Sequence, residues 1–151
     1  MKVALGCDHA GFVLKEAVLR ELRARDLQVT DLGTGDDSSV DYPDFAAKVC
    51  ALVRAGDADR GVLMCGTGIG MSMTANHFRK VRAAVVHDEF TTEMSRRHND
   101  ANVLCLGGRV ISPEEAAKLV RLWLETPFEG GRHQRRVDKI DDAGRDGTGD
   151  G

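Results

Sequence analysis

Gly61-Val62-Leu63-Met64-Cys65-Gly66-Thr67-Gly68-Ile69-Gly70-Met71-Ser72 decides the fold of this 151-residue chain. Residues 61–64 form a short apolar run that reads as a buried strand. Gly66, Gly68 and Gly70 then give a tight turn, and residues 71–77 can start a helix. A strand that turns through glycines into a helix is the repeating unit of a parallel α/β sheet. It is also a recipe for an anion site, because glycine lets the backbone approach a ligand and helix-start N–H groups point at negative charge. A cysteine at the mouth of such a loop feels the same field, which favours its thiolate. The combination points to proton transfer on a substrate that is anionic or becomes so as it reacts. A plain strand-to-helix turn is the competing reading. A nucleotide motif fails, since there is no Gly-Lys-Ser/Thr and the spacing 66, 68, 70 is not G-x-G-x-x-G.

Outward from this unit, strands and helices alternate to both ends. Residues 2–7 and 27–32 are apolar runs with a helical pattern between them, Leu14, Val18 and Leu22 lying on one face over 12–25. A helix is predicted over 42–55, with Pro43 in its first turn. Strands follow at 81–86 and 103–106, with a helix over 89–97 between them. Ser112-Pro113-Glu114-Glu115 starts another helix: serine caps it, proline takes the first position and acids fill the first turn. It carries Ala116, Leu119, Val120 and Trp123 on one face and stops near Pro127. A basic helix is predicted over 132–140. Five strands separated by helices imply an α/β, three-layer αβα sandwich with a Rossmann-like, mainly parallel five-stranded sheet. Residues 1–141 read as one domain. Residues 142–151 carry no apolar anchor and are expected to be a disordered tail.

Bulk properties narrow the function. Hydrophobic content of 42% and charged content of 30% suit a globular protein that buries its own core. A net charge of −3 argues against nucleic acid as the main partner. No apolar run approaches the ~20 residues of a membrane span, and the first residues lack a signal-peptide pattern. Cys7, Cys50, Cys65 and Cys105 show no C-x-x-C spacing, so a reduced, cytoplasmic protein without a structural metal is expected.

In sheets of this class ligands bind outside the carboxyl ends of the strands. That rule selects Cys7, Asp8 and His9; Cys65 with its loop; His87 and Asp88; and Gly107, Gly108 and Arg109. His98 and Asn99 lie just before the fifth strand, where a solvated helix end is the plain alternative. Arg132 and Arg136 are four apart, hence on one helix face, and two guanidinium groups so placed suit a phosphate. Glu129-Gly130-Gly131 before them can aim that helix into a neighbouring cleft. His77 and Cys50 read as structural and Cys105 as core, while Cys7 is either core or support for the site.

Five blocks in order resemble the ribose-5-phosphate isomerase type B family, which also includes galactose- and allose-6-phosphate isomerases. They are Gly6-Cys7-Asp8-His9-Ala10-Gly11-Phe12, Asp41-Tyr42-Pro43, the Cys65 loop, Arg96-Arg97-His98-Asn99-Asp100-Ala101-Asn102, and Glu129-Gly130-Gly131-Arg132-His133-Gln134-Arg135-Arg136-Val137. The resemblance implies an aldose–ketose isomerase working through an enediolate, with no metal or organic cofactor. It further implies a homodimer or homotetramer whose active sites lie between subunits. On this chain Cys65 would be the base beside the carbonyl, Thr67 its helper, and backbone N–H groups of Gly66, Thr67, Gly68, Ile69 and Gly70 the holders of the enediolate oxygens. His98 would open the sugar ring, Asp8 and Asn99 would contact sugar oxygens, and His9, Arg132 and Arg136 would clamp the phosphate, with Arg109 a further binding residue. Asp8, His9, Cys65 and Thr67 would come from one subunit, and His98, Asn99, Arg109, Arg132 and Arg136 from its partner. A family branch that uses glutamate at the position of Met71 does not apply here. The substrate is expected to be ribose 5-phosphate. The alternatives are a six-carbon phosphosugar or a non-catalytic phosphosugar-binding role.

Overall fold

The computed structural model describes residues 1–143. In chain order its elements are β1 (Lys2–Cys7), α1 (Phe12–Arg23), β2 (Gln28–Asp31), α2 (Tyr42–Ala55), β3 (Arg60–Cys65), α3 (Ile69–Ala75), β4 (Ala83–Val85), α4 (Glu89–Arg97), β5 (Val103–Gly107), α5 (Pro113–Glu125) and α6 (Arg132–Asp142). The sheet order is β2-β1-β3-β5-β4, and every pairing is parallel. The expected sandwich is therefore present, with its sheet wholly rather than mainly parallel.

Period-two alternation builds the two cores. Val3, Leu5 and Cys7 of β1, Val62 and Met64 of β3, and Leu104 and Leu106 of β5 face α1 and α5. Leu14, Val18, Leu22, Leu119, Val120 and Trp123 meet them from those helices. The intervening residues, Ala4, Leu63, Cys65, Val103 and Cys105, face the other way, towards Ala46, Val49 and Cys50 of α2 and Met71 and Ala75 of α3. Central strands buried on both faces are what a parallel sheet requires. The three thiols outside the loop are deep in this packing. Burial pushes Cys7 up to about 11 and Cys50 up to about 12, and it holds Cys105 well above the ordinary thiol range. Cys7 is thus a core residue.

Several element ends differ from the sequence reading for local reasons. α3 begins at Ile69, two residues early, because Gly68 turns the chain at φ +81° and caps it. β4 covers only Ala83–Val85, since the Asn102 carboxamide takes the N–H of Arg82 at 2.8 Å. α1 stops at Arg23, where the Arg25 N–H turns back to Leu22 O. α5 has the full capping box, Ser112 and Glu115 bonding each other's backbone. α6 runs through Asp142, one residue into the segment expected as a tail, and 144–151 lie outside the described residues. Among the described residues no helix is long and apolar enough to cross a membrane.

Candidate active site

The chain leaves β1 for β2 on one side and later reaches β3 on the other, so the sheet's switch point lies between the carboxyl ends of β1 and β3. Asp8, His9 and the Cys65 loop converge there. The Asp8 N–H donates to Met64 O at 3.1 Å, tying the two strand ends together. Asp8 is buried, and its Oδ1 accepts from the N–H groups of Ala10 and Gly11, both at 2.9 Å. Gly11 is required beside it, because a Cβ there would stand 2.2 Å from Met64 O. His9 Nδ1 accepts from the Val40 N–H at 3.2 Å, so the neutral ring carries its proton on Nε2.

Cys65 is 4% exposed, and its Sγ accepts from the Gly68 N–H at 3.2 Å. Thr67 is exposed, and its Oγ1 accepts from the Ile69 N–H at 3.2 Å. Two of the five loop N–H groups expected to face a ligand are therefore given to side chains of the loop itself. The Tyr42 ring covers Gly70, where a Cβ would fall 2.5 Å from a ring carbon. The sequence reading gave Tyr42 no role, although Tyr42 belongs to one of its five blocks.

Arg109, expected to serve a partner's site, lies against the glycine loop of its own chain. Its N–H donates to Gly66 O at 3.0 Å, and its Nη1 would lie 3.3 Å from a Cβ on Gly66. The guanidinium lies across the glycine loop of its own chain. Within the chain it stands at the same sheet edge as Asp8, His9 and Cys65, because β5 neighbours β3.

The remaining residues gather at the opposite edge. His98 caps the end of α4, and with exposed Asn99 it precedes β5 instead of following it. Asp100 holds a left-handed turn at φ 47° because two arginines grip its carboxylate, Arg96 Nη1 at 2.7 Å and Arg82 Nη2 at 3.2 Å. Arg82 Nη1 also donates to both oxygens of Asp141 on α6, at 3.0 and 2.9 Å. Gly130 and Gly131, at φ 65° and 55°, turn the chain into α6. That helix buries His133 and Val137 and exposes Arg132 and Arg136. The His133 ring stacks on His98, centroids 4.2 Å apart and planes 10° from parallel. Neither His133 nor Glu129 was singled out from the sequence. The signal available was their inclusion in the block that carries Arg132 and Arg136.

His98, Glu129 and His133 place donor atoms within 4.8 Å of one another. Nearly parallel rings do not fit one shared ion, which would lie in the plane of one imidazole and well out of the other. The arrangement suits a stacked acid/base pair. A groove of about 970 Å³ runs from His9 along α1 past Phe12, Val13 and Leu19, and its lining does not include Cys65.

The model of the Ribose/Galactose Isomerase family matches residues 3–140. Ribose-5-phosphate isomerase B of Escherichia coli strain K12 is 45% identical over 139 residues, covering 92% of this chain and 93% of its own. The structure of Clostridium thermocellum ribose-5-phosphate isomerase B superposes with a TM-score of 0.93 at 46% identity, covering 96% of this chain and 98% of the other. That of the Mycoplasma genitalium ribose-5-phosphate isomerase B with bound ribulose-5-phosphate gives 0.91 at 42% identity, covering 97% of each chain.

Proposed function

This chain belongs to the ribose/galactose isomerase family, and from that premise we propose that it interconverts D-ribose 5-phosphate and D-ribulose 5-phosphate. The observation that carries the reading is Cys65, its sulfur seated on the Gly68 N–H at the mouth of a glycine loop and at the switch point of the sheet. A thiol held there can take a proton from the carbon beside a carbonyl.

The bound aldose is a closed furanose. His98 opens it by taking the proton of the O1 hydroxyl and giving one to the ring oxygen. Cys65 then removes the C2 proton, and the electron pair moves onto O1 to form the enediolate. A proton passes between O1 and O2 with Thr67 as helper, and Cys65 returns its proton to C1 to give the ketose. Hydrogen moves only as protons, so no electron acceptor is needed. The enediolate charge falls on preorganised donors, a large source of rate enhancement in such chemistry. With Gly68 and Ile69 engaged inside the loop, the N–H groups of Gly66, Thr67 and Gly70 take this role, with Asn99. Asp8 contacts a sugar oxygen. The phosphate is clamped by His9 and Arg109 from one side and by Arg132 and Arg136 from the other.

In this reading the two sides come from different copies of the chain. Cys65 and Arg109 stand at the carboxyl edge of the sheet and His98 at the amino edge, roughly 16 Å apart for a five-residue strand. That separation supports a second copy bringing its His98, Asn99, Arg132 and Arg136 to this Cys65, in a homodimer or a homotetramer. The isomerase domain covers residues 1–141, and its last helix, α6, runs one residue further, to Asp142.

Turnover of ribose 5-phosphate, allose 6-phosphate and galactose 6-phosphate, each with a chelator present, tests the reading. Pentose turnover that ignores the chelator is expected. Turnover of hexose phosphates alone would move the substrate to six carbons, and binding without any turnover would leave a phosphosugar-binding protein.

A further inference from the structure

His133 stands apart from the arginines beside it. Arg132 and Arg136 are exposed, whereas His133 is 6% exposed and faces the body of its own chain. Its ring lies flat against His98. On the other side its Nε2 is 3.5 Å from Glu129 Oε2. Glu129 is tethered in turn: its N–H donates to Arg97 O at 3.1 Å, and its Oε1 is 3.9 Å from Arg97 Nη1. The tether starts at Arg97, passes through Glu129 and His133, and ends on the ring of the next residue, His98. His98 needs such support, because it caps the last turn of α4, where helices fray.

We propose that His133 is a positioning residue for sugar-ring opening, its buried imidazole fixing the plane in which His98 exchanges protons with the sugar. The inference rests on the reading of His98 given above. An acid/base that must serve O1 and the ring oxygen in turn has to keep one orientation, and a misplacement of 1 Å can cost about a hundredfold in rate. Electrostatics divides the labour within the pair. Burial, the facing His98 and the charges of Arg132 and Arg136 all hold His133 below the ordinary histidine range, against a weaker pull from Glu129. That direction favours the uncharged form of the buried ring, so His133 supports His98 by packing against it.

The test separates ring opening from enolisation. Ribulose 5-phosphate has no free C5 hydroxyl with which to close a furanose, so deuterium exchange into it in D2O needs Cys65 and no ring opening. His133→Ala is expected to lower turnover of ribose 5-phosphate about tenfold or more, while exchange into ribulose 5-phosphate stays within about threefold of the unaltered protein. His133→Phe, which restores a flat ring and cannot ionise, should recover most of the lost turnover. Should His133→Ala fail to fold, Glu129→Gln leaves the buried ring in place and should lower ribose turnover with exchange unchanged. Unchanged turnover in both variants, or equal loss of turnover and exchange, would overturn the proposal. An unaltered protein with neither activity would overturn the isomerase reading, and this inference with it.

Discussion

The Gly68 N–H donates to Cys65 Sγ at 3.2 Å, from a position that would strain a side-chain-bearing residue. Its φ is +81°, and a Cβ there would meet the main-chain carbons of Cys105 and Leu106 at 3.2 Å. The donor is fixed by the sheet before any substrate arrives, and the bond strengthens once the sulfur becomes charged.

Replacing either residue has a distinct expected outcome. Cys65→Ala should reduce isomerase turnover on the order of 10³-fold by removing the base, while calorimetry with ribose 5-phosphate still shows binding. Gly68→Ala keeps the thiol but adds strain of about 1–3 kcal/mol, so both the melting temperature and kcat should fall. Substantial turnover by Cys65→Ala would remove Cys65 as the base, and a Gly68→Ala protein melting like the original would contradict the strain.

Arg136 is exposed on the face of α6 that also carries Arg132, with no part in the buried packing of that helix. Arg136→Ala should therefore leave the fold intact and act on binding. A charge-assisted hydrogen bond lost from a phosphate is worth about 2 kcal/mol, roughly thirtyfold in KM for ribose 5-phosphate. The kcat value should change far less. Steady-state kinetics would decide it, and an unchanged KM would exclude Arg136 from the clamp.

The strand–helix alternation was legible because each central strand is a short apolar run, with glycine closing β3 and β5, and each long helix keeps its apolar residues on one face. The Ser112 cap and the break at Gly107-Gly108 are local signals, and local signals survive folding unchanged. What the sequence did not yield is where side chains meet across the chain. Nothing in the pattern marked Arg96, yet it is buried, because Asp100 and the carbonyls of Ala101 and Thr126 receive its donors. The placement of Arg109 against Gly66 depends on β5 lying next to β3, a strand order that periodicity does not encode. His133 sits among four polar neighbours in sequence, and only its contact with His98 sets it apart.

Arg82 joins the two arms that carry His98 and the proposed phosphate ligands Arg132 and Arg136. Its guanidinium holds Asp100 behind His98 and Asn99 and also grips Asp141 on α6 through two oxygens. Asp141→Asn keeps the shape and removes the charge. We expect a stability loss of only about 1 kcal/mol, since the pair is partly exposed, with a severalfold rise in KM as α6 and its arginines loosen. Thermal melting and kinetics on one preparation would check both. A melting change without any KM change would confine Arg82 to holding the fold together.

Acidification gives the last prediction. His133 is held below the ordinary histidine range chiefly by burial, and then by the charges of His98, Arg132 and Arg136. Its folded-state pKa is thus lower than its unfolded one. Between those two values the unfolded chain binds the proton and the folded chain does not. Stability must therefore rise with pH across that window and fall as the solution is acidified below about 6.5, the unperturbed value. Glu21 and Asp88 are shifted to lower pKa by Arg121 and by Thr91, and they act only nearer pH 4, so the two regions separate. Urea unfolding from pH 7.5 down to about pH 5.5 should show a declining free energy in the unaltered protein. His133→Phe, which cannot ionise, should flatten that decline. A slope that persists in His133→Phe would assign the acid sensitivity to another group.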